Sequence, residues 1–511
     1  MKRTSSSIVP PGAPVEATTP HQRGGALASL VSSRRAFLRG AALVAGGTLM
    51  PGWLVGCGGS ASSADAAVPL VVDPSIPWWL QNNFEPVTDE IDATDLRVRG
   101  ALPPELDGIY VRNGGNARNA DNPHYFLGDG MLHGIRLQDG KALWYRNRWV
   151  RTIPFEKGIG AGNLGAPIGG NNNSNVSAIY HGGRLLTSGE VGFPFEIRPD
   201  DLSTVGVYDF DGLLNTSFTA HPKIDPATGF LHFFGYWFAP PYLTYHVADA
   251  EGRIVHSEEI PVAKPTMMHS FAITERDVVF WELPVLFDVR GIEVQGIPYL
   301  WDPSYGARIG VMPLGGPASA LRWVEIEPCY VFHELNAFRD GDDVVIDVCR
   351  HASAMDGDRF GTQLAKLHRW RVATGGTSLS FREEIVDGGV DYEFPMHDRR
   401  YTGRANRHGW LLQPRAHPDT VESGGVAHLD RGTGEIARWD PGPNGHCGEP
   451  LFVAGGSGEG EGWLLSLVYD HARRQSVLAV LDALDVAAGP IAEVEMPRRV
   501  PYGLHATWVP R

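Results

Sequence analysis

From residue 90 to the C-terminus, strand-length apolar runs alternate with tight-turn signals almost without interruption. The runs Leu231–Trp237, Asp277–Leu283, Val344–Val348, Gly409–Gln413, Trp463–Tyr469 and Ser476–Leu481 are rich in β-branched and aromatic residues, side chains that suit a pleated, half-buried surface. Between such runs stand Asp139-Gly140, Gly182-Gly183, Thr228-Gly229, Asp340-Gly341, His408-Gly409, Gly432–Gly434 and Gly458–Gly462, where glycine admits the positive φ of a tight turn. Helical spacing of apolar residues is scarce, and Ala483–Ala488 offers one turn at best. With 62 glycines and 38 prolines the chain is punctuated as an all-β protein of short strands should be.

No Pro/Ser-rich linker or charge block divides this region, so residues 91–511 are expected to form one domain. A single all-β domain of that length outgrows one enlarging core. It predicts a β-propeller, whose blades repeat radially. No Trp-Asp or kelch-type signature recurs at a fixed period, which disfavours a scaffold propeller. Irregular spacing between turns predicts long loops gathered as a cap on one face.

The N-terminus reads as an export signal rather than as part of the fold. Ser33–Arg39 (S-R-R-A-F-L-R) is a twin-arginine motif, followed by an apolar stretch from Ala41 to Val55. Leu54-Val55-Gly56-Cys57 resembles a bacterial lipobox, so residues 1–57 are expected to direct export and leave Cys57 lipidated on the extracytoplasmic side of a membrane. Residues 58–75, rich in Gly, Ser and Ala, are expected to be a flexible tether. Pro69–Asp92 reads as an apolar, Pro-containing arm, and tether and arm together are assigned to 58–90. The net charge of −15 and the lack of a basic run argue against nucleic acid. Apart from Cys57 the cysteines are Cys329, Cys349 and Cys447. Folding Tyr330–Cys349 as a hairpin about Asp340-Gly341 sets Cys349 opposite Phe332 rather than Cys329, which argues against a disulfide there.

Four histidines share one context, at or near a strand-like run with small or apolar neighbours: His221 (T-A-H-P-K), His269 (M-M-H-S-F), His333 (V-F-H-E-L-N) and His505 (Y-G-L-H-A-T-W). Their separations of 48, 64 and 172 residues would put them on different blades. Blades converge on a central axis, where residues distant in sequence can aim their imidazoles at one point. A strand histidine is also a common core residue with its ring nitrogens satisfied, and local zinc patterns such as His-Glu-x-x-His are absent. The residues alone leave both readings open.

Taken in order, these four contexts resemble the carotenoid cleavage oxygenase family, which includes apocarotenoid oxygenases, lignostilbene dioxygenases and the retinal pigment epithelium isomerohydrolase. Leu106–Gly114 (L-D-G-I-Y-V-R-N-G), His124–His133 (H-Y-F-L-G-D-G-M-L-H), Asn147–Thr152 (N-R-W-V-R-T), Trp301–Pro313 and Pro501–Trp508 are similar to further family motifs. The resemblance spans roughly residues 90–511. It implies a seven-bladed propeller with a loop and helix dome over the metal-bearing face. It further implies an Fe(II) ion on the axis, held by His221, His269, His333 and His505, with Glu190, Glu393 and Glu449 orienting their outer N–H groups. The fourth histidine would rely on water or backbone.

The implied reaction is cleavage of a C=C bond by O2 to two carbonyl products, with no catalytic side chain beyond the metal ligands. The implied substrate is a lipophilic polyene of carotenoid or apocarotenoid type, delivered through an apolar tunnel lined by aromatics from Phe233–Tyr242 and Leu286–Trp301 and reached from a membrane surface. A stilbene-cleaving dioxygenase and a non-cleaving isomerase or lipid-binding relative are the alternatives. The tyrosine–lysine pair with which bacterial stilbene cleavers grip a phenol has no clear counterpart between Phe155 and Asn175, where Lys157 is the single lysine. Many relatives carry Asn-Thr-Asn ahead of the orienting glutamate. Here an ungapped register gives Asn175-Val176-Ser177, which would set Val176 beside the open metal position, and a shifted one gives Asn173-Ser174-Asn175. Glu334, next to His333, would point to the opposite face of an alternating strand and is expected to be structural.

Overall fold

Antiparallel sheets arranged as seven blades account for most of the structure. The computed structural model describes residues 66–119, 121–159, 172–357, 364–417 and 419–511; the twin-arginine segment, the lipobox and residues 58–65 lie outside them. Blades 1 to 5 begin at the strands Ser177–His181, Lys223–Ile224, Ala272–Ile273, Tyr330–Asp340 and Glu393–His397, and each runs outward as a four-stranded meander. Blade 6 starts from Gly445–Cys447 and Leu451–Ala454, both paired to Gly462–Asp470. Blade 7 starts from the C-terminal strand Ala506–Pro510.

The ring is closed twice. Ala506–Pro510 pairs with Gly108–Arg112, so that the innermost strand of blade 7 comes from the end of the domain and its outer strands from the beginning. Val98–Gly100 completes the outer edge of blade 6 by pairing with Pro490–Glu495. Wedges of apolar side chains fill the gaps between blades. Trp281 of blade 3 meets Trp370 of blade 4 edge-on at 6.2 Å. Trp410 of blade 5 stacks on Phe452 of blade 6 at 4.5 Å. Burying one such ring fully contributes roughly 2–3 kcal/mol.

The hairpin predicted at Tyr330–Cys349 forms as Tyr330–Asp340 and Asp343–His351. Its register slips between Val331 and Glu334 and again between Glu334 and Asn336. A bulge of this kind re-aims the side chains it carries, and His333 lies within it. Cys329, Cys349 and Cys447 are buried free thiols. Two local expectations need correction. His408-Gly409 opens the strand His408–Arg415 instead of forming a turn. Residues 66–75, expected to be flexible, begin with a docked segment: Asn444 accepts from the Val68 amide at 2.9 Å and donates to the Ala66 carbonyl at 3.1 Å, while His471 Nε2 lies 2.7 Å from the Val68 carbonyl. Side chains on the rim of blade 6 thus satisfy backbone groups that a free tether would leave to water.

The cap is mainly loops. An inserted hairpin, Val285–Phe287 with Tyr299–Trp301, carries the short helix Gly291–Gln295. A second short helix spans Ile153–Lys157, and the N-terminal arm adds Trp78 and Phe84.

Buried histidines in the blades make the fold acid-sensitive. Burial lowers His232, His246 and His446 to about 4, each with its ring nitrogens engaged by Tyr245, by Thr216 and Ser257, or by His471. Their folded pKa lies below the unfolded value, so the unfolded chain takes up more protons between pH 6.5 and about 4. Stability is therefore complete above pH 6.5 and falls as the pH drops through that window, by up to about 1.4 kcal/mol per pH unit for each histidine. Chemical denaturation at pH 7 and pH 5 is expected to give a lower midpoint at pH 5; equal midpoints would contradict this.

Candidate metal centre

Seven side chains, one from each blade, build the centre on the propeller axis. Blades 2, 3 and 7 carry His221, His269 and His505 one to three residues before their inner strands, and blade 4 carries His333 inside its bulged inner strand. One ring nitrogen from each lies within 4.8 Å of the other three. Successive Nε2 atoms stand 2.9 Å apart for His221 and His269, 3.2 Å for His269 and His333, and 3.3 Å for His333 and His505.

The remaining three blades supply carboxylates. Glu393 of blade 5 lies 2.5 Å from His333 Nδ1 and accepts from His351 Nε2 at 2.6 Å with its other oxygen. Glu449 of blade 6 accepts from His505 Nδ1 at 2.9 Å and from the Ala506 amide at 2.7 Å. Glu190 of blade 1 accepts from Tyr236 Oη at 2.9 Å. Its other oxygen approaches His269 Nδ1 to 2.7 Å, although the pair is too poorly aligned to count as a hydrogen bond. Among the described residues no carboxylate partners His221.

These contacts fix the chemistry of the rings. On His333 and His505 a proton on Nδ1, held by Glu393 or Glu449, leaves the Nε2 lone pair facing the axis. Burial lowers His333 to about 4 against the pull of Glu393, and burial together with the three neighbouring imidazoles pushes His221 well below its ordinary value. Burial alone would raise Glu393, but His333 and His351 hold it below the usual carboxylate range. Imidazole nitrogens whose lone pairs converge at these distances repel one another. Two nitrogens side by side on one metal, with bonds of about 2.1 Å, would stand about 3 Å apart. The donor set and its spacing fit a metal ion of the kind imidazole suits, such as zinc, copper, iron or nickel.

A cavity of about 700 Å³ opens onto this centre, within the range of small-molecule sites. His269, His333 and His505 line it; His221 does not. Its walls are largely aromatic. Tyr236, Trp237, Phe238, Phe287 and Tyr299 come from the two stretches predicted to line a tunnel. Phe233 and Phe234 of the same stretches are instead fully buried in blade 2. Trp78, Trp79 and Phe84 of the arm, with Phe332, Phe394 and Tyr502, also line the cavity. Sequence reasoning missed them; the density of aromatics in Trp78–Phe84 was the available signal.

The comparisons with known proteins agree with this geometry. The family model for the retinal pigment epithelial membrane protein matches residues 84–510. The chain belongs to the carotenoid cleavage oxygenase family. It is 36% identical to the carotenoid cleavage oxygenase of Mycobacterium tuberculosis, across 84% of this chain and 97% of that protein. It is 34% identical to carotenoid 9,10(9',10')-cleavage dioxygenase 1 of Arabidopsis thaliana, across 86% of this chain and 92% of that one. The crystal structure of the Pseudomonas brassicacearum lignostilbene dioxygenase superposes with a TM-score of 0.78 at 29% identity, covering 85% of this chain and 99% of that one.

In this member of the carotenoid cleavage oxygenase family the ungapped register holds at the cavity. Val176 is buried in the wall among Tyr125, Ala220 and Leu504, and its carbonyl accepts from the His505 amide at 3.1 Å. Ser174 turns away to bond Thr187 at 2.6 Å. Lys157 is exposed and does not line the cavity. Glu334 likewise lies outside the cavity, paired with Lys223.

Proposed function

We propose that the protein is a non-haem Fe(II) dioxygenase that cleaves a C=C bond of a carotenoid- or apocarotenoid-type polyene with O2 to give two carbonyl products. The observation that carries this reading is the convergence of four imidazoles, three of them lining one largely apolar cavity. A ferrous ion held by His221, His269, His333 and His505 would supply the O2 chemistry. The chain supplies the rest. Glu190, Glu393 and Glu449 orient the rings, the aromatic wall excludes water and aligns the polyene, and Val176 presents an apolar surface beside His505. No proton transfer by a side chain is required.

The polyene reading is supported by the two curated relatives, whose names describe carotenoid cleavage. A stilbene substrate is the second reading, favoured by the likeness to the lignostilbene dioxygenase. Lys157 counts against it, because that residue is exposed and does not line the cavity.

Delivery from a membrane is part of the proposal. Ile292 and Val294 of the capping helix line the cavity and are also exposed, as is nearby Val289, which makes an apolar rim suited to dipping into lipid. With the twin-arginine motif and the lipobox at Cys57, this supports an exported, lipid-anchored enzyme.

The test is to incubate the iron-loaded protein under O2 with an apocarotenal and, separately, a hydroxystilbene, and to assay carbonyl products by mass spectrometry. Two O2-dependent carbonyl products from the polyene, in excess of any from the stilbene, are expected. Cleavage of the stilbene alone would move the assignment to the second reading. A polyene that only changes geometry would overturn the cleavage.

A further inference from the structure

The four imidazoles are not supported alike. His269, His333 and His505 each have a glutamate at Nδ1, whereas His221 has none among the described residues. Its strand gives it little help, since Lys223–Ile224 is two residues long and pairs only with Leu231 and His232. A different set of contacts holds this segment. Lys223, two residues after His221, forms an ion pair through Nζ with Glu334, the residue after His333. Ser270, the residue after His269, donates from Oγ to the other oxygen of Glu334 at 2.7 Å, and Lys223 Nζ lies 3.3 Å from that hydroxyl.

Lysine, serine and glutamate side chains adjoining three of the four histidines therefore close on one another outside the cavity, which none of them lines. The Glu334 side chain is 6% exposed and that of Lys223 16%. Charges withdrawn from water to that degree persist only when paired, so the contact ties blade 2 to blade 4.

We propose that Lys223 is the positioning residue for His221: its ion pair with Glu334 does for the fourth histidine what Glu190, Glu393 and Glu449 do for the other three. The carboxylates act on the imidazole itself. Lys223 acts through the backbone, fixing the two-residue strand that begins two residues after His221. This inference rests on the reading that the four imidazoles hold a ferrous ion.

Metal binding, which needs no substrate, tests it. Fe(II) is titrated anaerobically into wild-type, Lys223→Met and the charge-swapped Lys223→Glu/Glu334→Lys protein, and the visible ligand-field bands of the Co(II)-substituted forms are recorded. Lys223→Met is expected to bind Fe(II) about 10- to 100-fold more weakly, the range for outer-sphere supports, and to show altered Co(II) bands, with the swap moving both back toward wild type. Should Lys223→Met fail to fold, Glu334→Gln, which keeps the bond from Ser270, is read in the same way. A lower melting temperature with Fe(II) affinity and Co(II) bands unchanged would reduce the ion pair to a general structural contact and overturn the inference alone. A wild-type protein that bound no Fe(II) would overturn the proposed function and this inference with it.

Discussion

Replacing His333 by alanine is expected to remove Fe(II) binding and C=C cleavage together while the propeller still folds. His333 sits in the middle of the arc of imidazoles, 3.2 Å from His269 and 3.3 Å from His505 through Nε2, so its loss opens the set on the side that faces the cavity. Three nitrogens would remain, one of them on His221, which has no carboxylate support. The fold should tolerate the change because the ring borders a cavity rather than a packed wedge. Melting temperature separates the two effects. A metal that binds only the native state stabilises it by about 2.7 kcal/mol at one hundred times its Kd. Wild-type protein should therefore melt higher with added Fe(II) than without, and His333→Ala should melt at one temperature in both conditions. A variant that still melts higher with iron would place the ion elsewhere.

Replacing Glu393 by alanine is expected to weaken iron binding and the fold at once. One carboxylate faces His333 Nδ1 and His351 Nε2 and also accepts from the Phe394 amide at 3.0 Å. Its side chain is only 14% exposed. Deleting it takes away an acceptor that these donors share, and a buried donor left unsatisfied costs about 1–3 kcal/mol. The freed His333 ring would also lose its fixed orientation, lowering iron affinity by about 10- to 100-fold. Glu393→Gln keeps one acceptor oxygen and should fall between wild type and alanine on both scales. Denaturant titration and Fe(II) titration of the three proteins check the order. An alanine variant with wild-type iron affinity would remove Glu393 from the account of how His333 is held.

Much of this centre was legible in the sequence because the four histidines share a local context that the fold then uses: each is carried by, or just ahead of, the inner strand of a blade. The ring of seven residues was harder to read. Glu190, Glu393 and Glu449 reach their histidines from other blades, so no spacing in the chain predicts which histidine goes without. That it is His221 follows only from where blades 1, 5 and 6 stand. The bulge at His333 was hidden for a related reason, since register is a property of the pair Val331–Asn336 with Asp347–Arg350 and not of either strand.

Val176 shows what three dimensions add to an ambiguous alignment. Both registers put an asparagine-flanked residue near the centre, and only the direction of the Ser174 side chain, toward Thr187, decides between them. The arm was misjudged on composition. The Gly, Ser and Ala content of residues 58–75 as a whole suggested a tether, whereas Asn444 and His471 pin Ala66 and Val68 to the rim of blade 6. The aromatics that follow, Trp78, Trp79 and Phe84, form part of the cavity wall.

The most direct test of the central claim is the metal content of the folded protein after anaerobic loading with Fe(II) and removal of excess ion, measured by elemental analysis against protein concentration. Four imidazoles converging on one point predict one iron per chain in the wild type and essentially none in His333→Ala. A wild-type protein that retains no iron, or a His333→Ala protein that retains as much as the wild type, would contradict it.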